Sequence, residues 1–293
     1  MKKLIILLIL TISSSICLFG EIKTEIKGSV DWETMRLNAE ISFDLASAGL
    51  RLPAGRTQAE SLLKANYLNL IRPFLIELQV DSSSTVKDLI ERGEFTMTQA
   101  DSIALGANKV PSFMQPDMRK ISESHTIMLS DFSSILIRHN RPAPIIRTLT
   151  PVSSAAYTGI IIIAAEEQPI YAMKGSALPV PCLFPKIWDS EMNLIYERNT
   201  LETNNITMAH YSPIKNIFQN NPSGLSPELR QIVGTKPMRI FARGVFGVKP
   251  TDLIIDQSDA LTIISSRENR ELLAQGKVVI ILDDSVLRHE FGN

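Results

Sequence analysis

Arg36-Leu37-Asn38-Ala39-Glu40-Ile41-Ser42-Phe43-Asp44-Leu45 alternates polar and apolar side chains without a break. Leu37, Ala39, Ile41, Phe43 and Leu45 therefore share one face of an extended chain, the pattern of a strand with one side buried and the other wet. A turn follows at Leu52-Pro53-Ala54-Gly55, and then the period changes. Ala59, Leu62, Leu63, Asn66 and Leu70 recur near 3.6 residues, which predicts a helix; Thr57 and Glu60 have the spacing of a capping box, and Pro73 should kink or end it. A half-buried strand that hands over to a one-sided helix predicts an α+β fold, with helices packed on antiparallel sheets.

The same logic extends outward. Asp81 to Gly93 reads as a short helix with a serine N-cap and a glycine stop, and Thr98 with Asp101 repeats the capping pattern before Ile103-Ala104-Leu105. Ser124–Leu129 is a strand, and Asp131 caps a turn of helix through Ile135–Ile137. Two prolines in three positions at Asn140-Arg141-Pro142-Ala143-Pro144 mark the boundary between an N-terminal α+β module, residues 21–141, and a C-terminal one, residues 142–293. Beyond it, residues 158–165 are a strand, and Asn193–Tyr196 closes a hairpin. Residues 199–236, rich in Asn, Pro and Ser, read as a long polar insertion with a short helix near 227–232. Met238–Ala242 and Asp252–Ile255 are strands. Residues 259–274 form a helix stopped by Gly276, and Lys277–Leu282 is the last strand.

The chain opens with Lys2 and Lys3, an apolar run from Leu4 to Ile12 and the small residues Ser13-Ser14-Ser15. Charge, apolar stretch and small-residue exit in that order predict a secretory signal over residues 1–20, cleaved after Gly20, and hence a protein that works outside the cytoplasm. The run is short for a membrane span, which takes about 20 residues, and no later segment predicts a transmembrane span in the mature chain. Cys17 offers a lipid anchor, but β-branched Ile16 before it suits a lipoprotein peptidase poorly. The sequence thus favours a soluble exported product, with Cys182 as the one cysteine left. Its setting, Leu178-Pro179-Val180-Pro181-Cys182-Leu183-Phe184, predicts a buried small hydrophobe.

The hydrophobic fraction of 44% and the charged fraction of 21% are those of a globular chain. Basic residues number 30 and acidic residues 31. Lys2 and Lys3 leave with the signal, so the mature chain is mildly acidic, which speaks against nucleic acid and against anionic lipid surfaces as partners.

Chemistry is sparse in the sequence. His125, His139, His210 and His289 lie far from one another and from cysteine, without zinc-ligand spacing. There is no Gly-x-Ser-x-Gly elbow and no phosphate-binding Gly-Lys-Ser/Thr loop. Gly244-Val245-Phe246-Gly247 is a Gly-x-x-Gly that reads as a bulge or tight turn. Glu166-Glu167 and Asp283-Asp284 read as solvated strand ends, and Asn205-Ile206-Thr207 matches a glycosylation acceptor. No catalytic, cofactor-binding or metal-binding residues are therefore expected.

Several phrases carry a resemblance. Gln58-Ala59-Glu60 on the long helix and Leu78-Gln79-Val80-Asp81-Ser82-Ser83-Ser84-Thr85-Val86-Lys87-Asp88 lie in the first half. Tyr157-Thr158-Gly159-Ile160-Ile161-Ile162, Phe184-Pro185-Lys186-Ile187, Leu194-Ile195-Tyr196, Ala242–Gly247, Thr251–Ile255 and Gly276–Ile280 lie in the second. In patches over residues 30–90 and 155–282 the chain resembles the secreted bacterial lipoprotein family that includes the flagellar protein FlgP and the small LPP-type outer-membrane lipoproteins. The resemblance implies a helix packed on an antiparallel sheet, export to the envelope, self-assembly, and a non-enzymatic flagellum-associated or surface role. Two departures stand out: Ile16 before Cys17, since the family is commonly lipidated, and residues 199–236, which have no counterpart. The expectation is a non-enzymatic exported structural or assembly protein of the cell envelope, partnered by envelope or flagellar proteins. A binding module for polysaccharide or a host component is the alternative, and an unrecognised hydrolase comes third.

Overall fold

The computed structural model describes residues 24–145, 147–148 and 151–292. The signal segment, with Ile16, Cys17 and the cleavage position, lies outside the described residues.

The first module is a five-stranded antiparallel sheet with helices on one face. β1 (Thr24–Asp31) and β2 (Arg36–Asp44) form a hairpin, and β2 pairs next with β6 (Lys120–Met128), which pairs with β5 (Asn108–Met114). Leu37, Ala39, Ile41 and Phe43 are all buried, as their alternation requires. Across from them lies α1 (Gly55–Ile76), which buries Gly55, Ala59, Leu63, Tyr67, Ile71 and Leu75 in a stripe with a spacing of four residues. No side chain caps α1. The preceding turn supplies the carbonyls instead, with Gly55 N donating to Arg51 O and Arg56 N to Pro53 O. Thr57 is inside the helix, and Glu60 accepts from Arg56 and Ser112 rather than closing a box. Pro73 also departs from expectation: α1 continues through it to Ile76. A proline one turn from a helix end removes a single ladder bond, and the burial of Ile71 and Leu75 on either side holds the backbone in place.

The short helices keep the expected places with shifted caps. After the small hairpin of β3 (Gln79–Asp81) and β4 (Ser84–Thr85), α2 (Val86–Glu91) opens on Thr85, which forms a reciprocal capping box with Asp88. α3 (Met97–Leu105) opens on Thr96, boxed with Gln99, two residues before the expected pair. Asp101 is free to take a two-point contact from Arg72 at 2.7 and 2.8 Å. α4 (Leu129–Leu136) completes the module.

The second module is a seven-stranded mixed sheet in the order β11 (Leu194–Tyr196), β10 (Ile187–Asp189), β14 (Asp252–Ile255), β13 (Met238–Phe246), β7 (Ile160–Ile163), β15 (Val278–Leu282), β12 (His210–Pro213). The β10–β11 and β13–β14 pairs are antiparallel; β10–β14, β13–β7, β7–β15 and β15–β12 are parallel. The continuous isoleucine run of β7 has its physical reason here, because a parallel strand at the centre of a sheet is covered on both sides. Ile160 and Ile162 join the main core, which contains residues of α6 (Gln257–Ser265) and α7 (Arg267–Ala274). Ile161 joins a second cluster with Leu229 and Val233 of α5 (Pro227–Val233). The expected helix 259–274 is thus two helices, broken where Ser266 turns extended and caps Asn269 N at 3.2 Å. The Gly-x-x-Gly falls at a register shift between Ala242 and Gly244, a bulge.

Residues 199–236 are not a peripheral insertion. They contain the edge strand β12 and α5, and Leu201, Met208, Tyr211, Ile217 and Leu225 are buried. Polar composition hid them, because buried residues are interleaved here with turns made by Asn205, Asn216 and Asn221.

The α+β class with two modules stands, and the modules are sewn together. After α8 (Asp284–Leu287), the chain returns to the first sheet as β16 (Arg288–Gly292), antiparallel to β1. Leu183 N and Phe184 N donate to Gln79 O and Val80 O, and Lys249 N donates to Ser82 O. One hydrophobic core runs through both sheets.

Candidate functional site

Where the modules meet, they leave a cleft of about 800 Å³. One wall is the end of β1 and the residue after it (Val30, Trp32) with β16 (Arg288, His289, Phe291); another is the last turn of α1 with its C-cap (Pro73, Phe74, Glu77); the second module supplies Val180, Pro181, Lys249 and Pro250. The lining is mostly apolar, with Glu77, Lys249 and Arg288 among it. Phe74 and Phe291 stack at 4.0 Å between centroids, which joins the long helix to the last strand. Gly28, opposite Phe291 in the β1–β16 register, is required because a Cβ there would meet the Phe291 ring and the Asn38 carbonyl.

Beside the cleft is a buried polar junction. Asp252 is fully buried and accepts from Ser82 Oγ of the first module at 3.0 Å, and from Trp188 Nε1 at 3.3 Å and Lys186 N at 3.2 Å of the second. Burial pushes its carboxyl above the ordinary range, while these donors pull the other way. Gly247, with φ +110°, lets the turn before Lys249 close against Ser82. Nearby, Tyr211 Oη donates to Cys182 O at 2.8 Å and accepts from Cys182 N at 3.1 Å. Burial raises the Cys182 thiol far above its ordinary value, so it stays a protonated, unreactive group at neutral pH.

The histidines are dispersed. His125 is buried, stacked on Tyr67 at 4.0 Å, with Nε2 2.7 Å from Glu123 Oε1; that contact is short, yet Nε2 makes no aligned hydrogen bond. Lys109 Nζ meets the same carboxylate oxygen at 2.6 Å. His139 Nε2 lies 2.8 Å from Leu201 O, His210 sits in β12, and His289 lines the cleft. Among the described residues no group of three or more His, Cys, Asp or Glu is placed to hold a metal ion. Asp283 caps α8 by accepting from Ser285 N at 2.9 Å, Asp284 meets Lys215 at 3.6 Å, and Glu167 pairs with Ser176. Asn205 accepts from Thr207 N, and its Nδ2, the atom a glycan would take, is buried.

These two modules have counterparts. Residues 23–135 match the family model described as the Treponema pallidum Tp0624 N-terminal domain, and residues 159–284 match that of the Tp0624 second domain. In both modules the chain is similar to Tp0624. No curated protein matches it. The matched domains are those of Tp0624 and not of the FlgP-type family that the sequence resembles in patches. The matches stop short of Arg288–Gly292, the strand that closes the cleft. Asp252 and Ser82 escaped the sequence reading. The one signal for Asp252 was a carboxylate heading the otherwise apolar strand Asp252-Leu253-Ile254-Ile255, and nothing in the sequence pairs it with Ser82.

Among the described residues no helix is long and apolar enough to cross a membrane.

Proposed function

We propose that this chain is an exported, non-enzymatic structural or assembly protein of the bacterial cell envelope, and that its inter-module cleft receives an apolar segment of a partner protein. The observation that carries this reading is the cleft itself. It is built by both modules, apolar in most of its lining, and bounded by β16, whose Phe291 stacks on Phe74 of the long helix. The titratable groups beside it support the same reading: Asp252 is held by donors from both modules and Cys182 is kept protonated. Export and a periplasmic or outer-membrane-associated place rest on the leader, and the flagellar apparatus as the place of work rests on the FlgP-type resemblance.

A photo-crosslinking amino acid at Glu77, in the cleft, should trap one envelope protein or a second copy in producing cells, whereas the same group at Glu40 on the sheet's outer face should not. Equal capture at both positions, or a cytoplasmic location of a tagged chain, would sink the proposal. Wild-type motility of a deletion strain would remove the flagellar assignment alone.

A polysaccharide-binding module is the second reading, favoured by the aromatics Trp32, Phe74 and Phe291 in the cleft. It ranks below the first because the phenylalanines stack on each other and Trp32 sits edge-on to Tyr211 at 5.9 Å.

A further inference from the structure

Two turns of the second module project from one end of its sheet. Ile170, which follows β8 (Gln168–Pro169), pairs with Val245 in the parallel sense, and Tyr171 N donates to Val245 O at 2.9 Å. Because the pairing is parallel, the chain beyond Ile170 and the chain beyond Val245 leave the sheet side by side. The first becomes Tyr171-Ala172-Met173-Lys174-Gly175, the second Phe246-Gly247-Val248-Lys249. Positive φ angles at Ala172 (58°) and Gly247 (110°) turn the backbone sharply. Met173 is 68% exposed and Val248 84% exposed.

These tips stand on a braced base. Phe246 contacts Tyr171 and Trp188 edge-to-face at 6.0 and 5.8 Å, and Trp188 is tied to the buried Asp252. Each aliphatic tip is followed at once by an exposed lysine, and among the described residues neither Lys174 nor Lys249 forms an ion pair. Scattered exposed apolar residues are ordinary, but two aliphatic tips on adjacent rigid turns, each with a cation beside it, have the chemistry of a lipid boundary. There apolar groups enter the acyl region while lysines stay with the phosphates. A protein partner would call for a broad apolar face with a polar rim, and these are two points.

We propose that this end of the second module contacts an anionic bilayer, with Met173 and Val248 entering the boundary between headgroups and acyl chains and Lys174 meeting lipid phosphates. It revises, for this patch, the expectation drawn from net charge.

The test is co-sedimentation of the protein purified from its producing cells with phosphatidylcholine vesicles, with and without phosphatidylglycerol. Wild type and variants share one N-terminus, so any binding by the leader is common to all. Wild type should bind the anionic vesicles, more weakly as salt rises. The Met173→Asp/Val248→Asp double variant should bind at least about ten-fold more weakly. Lys174→Glu should lose about five-fold or more on anionic vesicles and nothing on neutral ones. Unchanged thermal melts would show that these exposed substitutions leave the fold intact. Absence of wild-type binding, equal binding by the variants, or loss of a protein partner with vesicle binding retained would each overturn the proposal.

Discussion

His125 shows how burial sets chemistry at one residue. Its ring is sandwiched onto Tyr67 and lies under α1, with Glu123 drawing its pKa up and Lys109 pushing it down. Desolvation is the largest influence, so its pKa is below the ordinary 6.5. The unfolded chain then binds the proton more readily than the folded one. This histidine's contribution to stability is complete above 6.5 and is lost as pH falls through the lower folded value. The denaturant midpoint should therefore drop between about pH 7 and pH 5, with part of the drop due to this residue. His125→Phe, which keeps a ring on Tyr67, should flatten that part. An unchanged pH slope in the variant would show that the ring does not titrate as described.

At the scale of elements, the sequence located helices better than it located their first residues. The two reciprocal boxes, Thr85 with Asp88 and Thr96 with Gln99, satisfy amides that the short helices α2 and α3 cannot bond internally. α1, at 22 residues, starts without a side-chain cap and relies on its buried stripe. Thr96→Ala should accordingly cost about 1 kcal/mol in urea unfolding, whereas Thr57→Ala, inside α1, should cost less than about 0.5 kcal/mol. The reverse order would mean that α1 depends on Thr57 in a way its hydrogen bonds do not reveal.

At the scale of the molecule, β16 decides how the modules behave. Five residues at the end of the chain supply an edge strand to the first sheet, the ring that stacks on Phe74, and one wall of the cleft. Truncation after Leu287 should leave the amides of β1 open on one side. Hydrogen exchange should then show lost protection over Thr24–Asp31, with β7 and β15 nearly unaffected because both are central in the other sheet. Uniform loss across both sheets would instead mean that the modules unfold as one unit.

Local pattern was sufficient wherever one face of an element is wet. The alternation of Arg36–Leu45 and the existence of the long helix could be read directly, because burial of one face imposes a period on the residues themselves, although the stripe α1 buries runs through Tyr67 and Ile71 rather than Asn66 and Leu70. The isoleucine run of β7, covered on both sides, was read from its unbroken apolar length instead. The α+β class and the two-module layout followed from them. Three features had no such period. The core of residues 199–236 is interleaved with asparagine turns. Asp252 is buried among donors that include Ser82, 170 positions away. The cleft is closed by a terminal strand whose sequence, Arg288-His289-Glu290-Phe291-Gly292, is mostly polar and pairs with β1 at the opposite end of the chain. Sequence by itself determined what each segment prefers to bury. Tertiary structure decided which segments meet, and the cleft, the Asp252 junction and the lysine-flanked turns all exist only through such meetings, which are set by global packing rather than by neighbouring residues.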